Sequence, residues 1–215
     1  MLQRHLIPVW LLLTMGPWAA AQAQVQFPVP MPRPTLGDIS VFKTIDLWNN
    51  TERSQSRSEV VEVTKDNIVL RSTSSTRPEP TTLRYTAHWG PCRSLQNSTE
   101  VICAGALNFP MNVGGKHAYT RLPWPDGRGH SSGDCVVKQE EKVTTAPGVY
   151  ETVVIECTGY YNRVVEGSFS GRQRELYWYA PSIGRVIKSE FYDFDTSGRP
   201  FNKTRTELVE FIPGK

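Results

Sequence analysis

The residues best placed to do chemistry in this chain sit together at Gly129-His130-Ser131-Ser132-Gly133, followed by Asp134. The letters match G-x-S-x-G, in which a serine on a sharp strand-to-helix turn becomes an exposed nucleophile served by a histidine and an acid. The surroundings argue against that use. Pro123-Trp124-Pro125-Asp126-Gly127-Arg128 reads as a loop and Cys135-Val136-Val137 as a strand, so neither half of the elbow is expected. Adjacent His and Ser on an extended chain also point to opposite faces. A hydrolase using the Gly129–Asp134 loop remains an alternative reading, and no catalytic residue is assigned.

Metal and redox chemistry find less support. His88, His117 and His130 fall on separate segments with no i,i+4 spacing, and a metal site needs convergent ligands. Cys92, Cys103, Cys135 and Cys157 contain no C-x-x-C, so neither a redox motif nor a zinc knuckle is indicated. No cofactor and no metal are expected. Asn49-Asn50-Thr51, Asn97-Ser98-Thr99 and Asn202-Lys203-Thr204 fit the glycosylation acceptor pattern, which matters only in a eukaryotic source.

Binding is the better prospect. Tyr177, Trp178 and Tyr179 are consecutive, so on a strand they load both faces, one for a core and the other for a second sheet, a partner or a ligand. A groove for an apolar ligand or a glycan would be lined by Tyr177, Tyr179 and Lys188.

The elements that must position these residues are strands and tight turns; no helical period persists for three turns. Ile39 to Trp48 alternates, with Ile39, Val41, Ile45 and Leu47 on one side and Phe42 and Trp48 on the other. A two-residue turn at Asp66-Asn67 sets Val63 opposite Leu70 and Glu62 opposite Arg71. Folding about Asn97-Ser98 brings Cys92 to Cys103. Folding about Ala146-Pro147-Gly148 brings Cys135 to Cys157, Val137 to Ile155 and Val143 to Val149. Two hairpins each carrying a cross-strand disulfide is the simplest connectivity. The second register also opposes Glu141 to Glu151, a like-charge pair that costs stability unless it is wet or shares a proton. The chain ends as a meander, Glu175 to Ala180, Arg185 to Phe194 and Phe201 to Ile212, turning at Pro181–Gly184 and Asp195–Gly198. That first turn places Trp178 opposite Ile187 and Tyr177 opposite Lys188. Pro200 sits at a strand entrance, where its missing N–H does least harm.

The start of the chain has the form of a secretory signal. Arg4 precedes an apolar run from Leu6 to Gly16, and Ala21-Gln22-Ala23 offers small residues for cleavage. The run is too short for a transmembrane span, no later apolar stretch would cross a bilayer, and no cysteine adjoins the cleavage point for a lipid anchor. Residues 1–23 are therefore read as a signal peptide, and the product as periplasmic or secreted, where disulfides persist. Residues 24–35, with Phe27-Pro28-Val29-Pro30-Met31-Pro32-Arg33-Pro34, are expected to form an extended arm, a tether or a docking peptide. Residues 36–215 should form a single β-rich domain. Leu36-Gly37-Asp38, Val41-Phe42 and Ser58-Glu59-Val60-Val61 echo Val113-Gly114-Gly115, Ala118-Tyr119 and Asp134-Cys135-Val136-Val137, which would fit an internal duplication of 36–105 and 106–215. With 24 Lys and Arg against 21 Asp and Glu, interspersed, the net charge of +3 leaves no electrostatic footprint for nucleic acid.

Leu107-Asn108-Phe109-Pro110-Met111-Asn112-Val113-Gly114, Thr144 to Thr152, Trp178 to Lys188 and Glu207-Leu208-Val209 resemble segments of a group of uncharacterised exported β-rich proteins of proteobacteria. The similarity runs over most of residues 36–212. It implies a periplasmic all-β domain from a bacterial source, supplies no catalytic residue, and makes the acceptor sequons incidental. The two cysteine pairs fall outside the shared motifs. The expected molecule is all-β, antiparallel hairpins and a meander forming a curved half-barrel or sandwich secured by two disulfides. Its first functional reading is a non-enzymatic periplasmic binding or envelope-assembly module whose partner is an envelope protein, a glycan or an apolar ligand. The alternatives are the hydrolase above and a structural interaction module docking through the proline arm.

Overall fold

A computed structural model describes residues 24–94, 99–123, 129–163 and 169–215. The proposed signal peptide, the Asn97-Ser98 turn and most of the Pro123–Arg128 loop lie outside them. Twelve strands form one antiparallel sheet among the described residues. They are β1 Ile39–Asp46, β2 Thr51–Val63, β3 Asn67–Ser74, β4 Arg77–Thr86, β5 Pro91–Ser94, β6 Val101–Cys103, β7 Lys116–Thr120, β8 His130–Thr145, β9 Gly148–Arg163, β10 Phe169–Ala180, β11 Arg185–Phe194 and β12 Pro200–Ile212. A single 3-10 turn, Pro181–Ile183, joins β10 to β11. No helix among the described residues is long and apolar enough to cross a membrane.

The spatial order is β6-β5-β4-β3-β2-β1-β12-β11-β10-β9-β8-β7. Each strand lies beside its sequence neighbour, except that β1 pairs with β12 and β6 does not pair with β7. The meander is thus joined where its first and last strands meet and open between β6 and β7. Across that opening Gly105 N–H donates to Thr120 C=O at 3.1 Å. Of the two forms considered, half-barrel or sandwich, the molecule takes the single curved sheet.

Side chains from strands two and three places apart in the order meet over the concave face, where the sheet bends. Tyr119 of β7 reaches Glu175 of β10 at 3.4 Å, and Ser131 of β8 reaches Gln173 of β10 at 2.5 Å. Gly133 and Gly159 face each other in β8 and β9; a Cβ on either would meet a carbonyl oxygen of the opposite strand at 2.1 or 2.2 Å. That closeness is open only to glycine.

Part of the concave side is filled. Leu107, Phe109 and Met111, from the segment between β6 and β7, pack with Val29, Tyr119, Val137, Val153, Ile155, Tyr179 and the Cys135–Cys157 bridge. Val29 is 1% exposed and exchanges two 2.9 Å backbone hydrogen bonds with Met111. The proline-rich segment is therefore bound to the body of its own molecule. A second cluster gathers Val143, Val154, Trp178, Ala180, Ile187 and Leu208. Trp178 and Tyr179 are both buried, so both faces of the aromatic strand are covered.

Both disulfides join directly opposed residues, Cys92 with Cys103 and Cys135 with Cys157. Three expected registers are displaced. The β2–β3 turn falls at Lys65-Asp66 rather than Asp66-Asn67, with Thr64 N–H donating to Asn67 C=O at 2.8 Å, which sets Val63 opposite Ile68. A further shift between Val60 and Glu62 sets Arg71 opposite Glu59, and Arg71 bonds Glu59 at 2.9 Å. In β8 a shift between Val137 and Gln139 leaves Val137 opposite Ile155 but sets Val143 opposite Tyr150 and Glu141 opposite Thr152. Glu151 then pairs with Lys142 at 2.9 Å, and the like-charge opposition disappears. In β10–β11 a shift places Trp178 opposite Lys188 and Tyr177 opposite Ser189. A bulge bends the strand that carries it, and these three serve the curvature of the sheet.

Candidate functional site

Two cavities of about 460 and 470 Å3 open on the concave side and share Pro91, Ala106 and Tyr177. The first lies at the gap in the sheet, between Arg93 and Ala104–Ala106 on one side and Tyr119–Leu122 on the other, with Ser131, Glu175 and Tyr177 lining it as well. Several of its polar groups join in one network. Arg121 Nε reaches Glu175 Oε1 at 2.9 Å, the Tyr119 and Tyr177 hydroxyls donate to the same carboxylate, and Gln173 links Tyr119 to Ser131. Burial, then the negative charge of Glu175, pushes both phenols well above their ordinary range, so they stay protonated donors. A carboxylate with three donors, beside two phenols locked as donors, is a brace rather than a poised acid or base.

The second cavity is built from side chains that alternate inward along six strands. Ser56 and Ser58 come from β2, Leu70 and Ser72 from β3, Leu83 and Tyr85 from β4, Val186 and Ser189 from β11, with Phe42 and Thr206 at the β1–β12 seam. Trp89 and Arg185 complete it. Ser58 donates to Ser72 at 2.9 Å. Trp89 has φ 61°, in the left-handed region that a bulky residue rarely occupies. Its turn is held by Trp89 N–H donating to Thr86 C=O at 3.0 Å and its indole by Nε1–H donating to Gly184 C=O at 2.8 Å. Strain of this kind, on the order of 1–3 kcal/mol, persists where the surroundings over-determine it and concentrates at working sites.

Of the residues that the sequence proposed for a groove, Tyr177 lines both cavities. Tyr179, on the same face, is 1% exposed and packs edge-on against Phe109 at 5.2 Å; it is core. Lys188 is on the opposite face, its Nζ 4.0 Å above the Trp178 ring, because the inserted residue moves it from Tyr177 to Trp178. Ser131 is buried in a strand, not on an exposed turn, and exposed His130 precedes it on the other face. Among the described residues no group of three His, Cys, Asp or Glu could hold a metal ion. Arg185 and Trp89 carried no sequence signal. The serines did, since Ser54, Ser56 and Ser58 recur with the strand period.

No family model matches the chain, and no curated protein matches it significantly. Its fold resembles two solved structures. A candidate lipoprotein of Parabacteroides distasonis superposes with a TM-score of 0.57 at 13% identity, over 87% of this chain and 100% of that one. A candidate exported protein of Bacteroides fragilis, described as having a YmcC-like fold, superposes with a TM-score of 0.54 at 12% identity, over 86% and 99%. At such identities the likeness is one of fold: the chain shares the architecture of these two proteins.

Proposed function

We propose that the protein is a non-enzymatic binding module of the bacterial cell envelope, periplasmic or secreted, whose ligand lies in the cavity bounded by Trp89, Tyr85, Tyr177 and Arg185. The location draws on the leader-like first 23 residues, on two disulfides, and on the names of the structural neighbours, one a candidate lipoprotein and the other a candidate exported protein. The observation that carries the binding reading is an unfilled 470 Å3 cavity inside a sheet whose other concave half is densely packed. Pockets that are mostly apolar, with a few placed polar groups, are the usual form of small-molecule sites.

The test is a neutral fluorescent probe, N-phenyl-1-naphthylamine, added to the purified protein. Saturable enhancement is expected, and Ser58→Phe, which fills the cavity from β2, should reduce it at least tenfold while circular dichroism stays β-rich. No enhancement, or enhancement indifferent to Ser58→Phe, overturns the reading.

A further inference from the structure

Arg185 is the unusual member of this cavity. It is 5% exposed, and among the described residues no carboxylate lies within ion-pair distance of it. Its Nη1 donates to Ser40 Oγ at 2.6 Å, its Nε is buried without a partner, and its guanidinium lies 4.5 Å over the Trp89 ring. Asp38 is the carboxylate that acts on it through space, with no ion pair between them, and its oxygens accept from backbone donors, Oδ1 from Gly214 N–H and Oδ2 from Thr35 N–H, both at 2.8 Å. Burial lowers the guanidinium to about 10, which still leaves it charged at neutral pH.

A buried cation without a bonded counter-charge is expensive, and a guanidinium presents a planar fork of donors that fits a carboxylate. The chain holds this one against a strained tryptophan, at the edge of a cavity walled by Leu70, Leu83, Phe42 and Val186. Among the described residues no lysine and no second arginine lines that cavity, so the counter-charge that fits is single. A doubly charged phosphate would find one cation only. The rest of the wall sets these apolar side chains beside the uncharged hydroxyls of Ser56, Ser58, Ser72, Ser189 and Thr206.

Resting on the binding reading above, we infer that the cavity takes a small amphiphile with one carboxylate, the headgroup on Arg185 and the apolar body along Leu70, Leu83, Phe42 and Val186. The ligand supplies a negative charge in bonding contact, and Trp89 holds the guanidinium plane toward it.

The experiment titrates the purified protein at pH 7.5, by tryptophan fluorescence and calorimetry, with decanoate, decan-1-ol, decyl phosphate and decyltrimethylammonium, each below its aggregation limit. Decanoate should bind at least tenfold more tightly than decan-1-ol and more tightly than decyl phosphate, with the cationic amphiphile weakest. Arg185→Met should bring decanoate down to the level of decan-1-ol and leave decan-1-ol unchanged, while Arg185→Lys keeps part of the difference. Equal affinity for decanoate and decan-1-ol in the unaltered protein overturns the inference and leaves the cavity reading standing. So does preference for decyl phosphate, or binding of the naphthylamine probe but of no decyl compound. Failure of the probe as well brings down both. The comparison in the unaltered protein decides the matter even if Arg185→Met does not fold.

Discussion

At the scale of single residues, Glu156 and Glu175 are charges that brace the sheet. Burial alone would raise the Glu156 carboxyl, but Arg174 Nε at 2.7 Å and Lys138 Nζ at 3.2 Å together pull it below its ordinary range. A carboxyl lowered by folding stabilises the protein above its unfolded value, and that stability is lost as pH falls through the folded value. Both cations are nearly half exposed, so Glu156→Gln should cost only about 0.5 kcal/mol at pH 7. In thermal melts the gap between the two proteins should close as pH falls below the ordinary carboxylate range; a gap that persists in strong acid refutes the assignment. Glu175 is different, since its side chain is 3% exposed and Arg121 is its cationic partner. Arg121→Met leaves that carboxylate with the two tyrosine donors and should cost about 2 kcal/mol, read from the denaturant midpoint. An unchanged midpoint would mean that the tyrosines suffice.

At the scale of elements, the hairpins carry the local logic and the bulges carry the adjustment to the whole. The two disulfides close loops of different length, with sequence separations of 11 and 22. They also differ in surroundings. Cys135 and Cys157 are fully buried within the main cluster, whereas Cys92 and Cys103 join β5 and β6 at the edge of the sheet. Replacing Cys92 and Cys103 by Ala should cost about 2–3 kcal/mol, and replacing Cys135 and Cys157 about 3–5 kcal/mol, because the longer loop and the lost packing add. Equal losses would show that burial of the second bridge contributes nothing. The bulge in β8 illustrates the adjustment: one inserted residue turns a Glu141–Glu151 opposition into a Lys142–Glu151 ion pair. The insertion reconciles the tight turn between Thr145 and Gly148 with the pairing of Cys135 and Cys157.

At the scale of the molecule, the curved sheet depends on segments outside its strands to fill the concave side. Val29 and Met111 are each 1% exposed and pair through their backbones. Deleting residues 24–31 removes that strip of core and should cost about 3 kcal/mol, a fall of roughly 6–12 °C in Tm for a domain of this size. A melting temperature indifferent to the deletion would return the segment to the role of a free arm.

The amino-acid order by itself determined the strand periods, the turns at Pro181–Gly184 and Asp195–Gly198, the all-β class and the partner of every cysteine. Each of these follows from chemistry within a few residues: alternation, left-handed glycines at positions 184 and 198, and turn residues that halve the distance between paired thiols. Only the tertiary structure decided where bulges fall, that β12 closes on β1, and that Tyr179 enters the core while Tyr177 borders two cavities. These depend on how much a twelve-stranded sheet must bend to bury one face, and no short window of sequence contains that quantity. Arg185 shows the divide most clearly. In sequence it is one arginine after a turn glycine. Its meaning comes from Trp89 and Ser40, brought to it by segments distant in the chain.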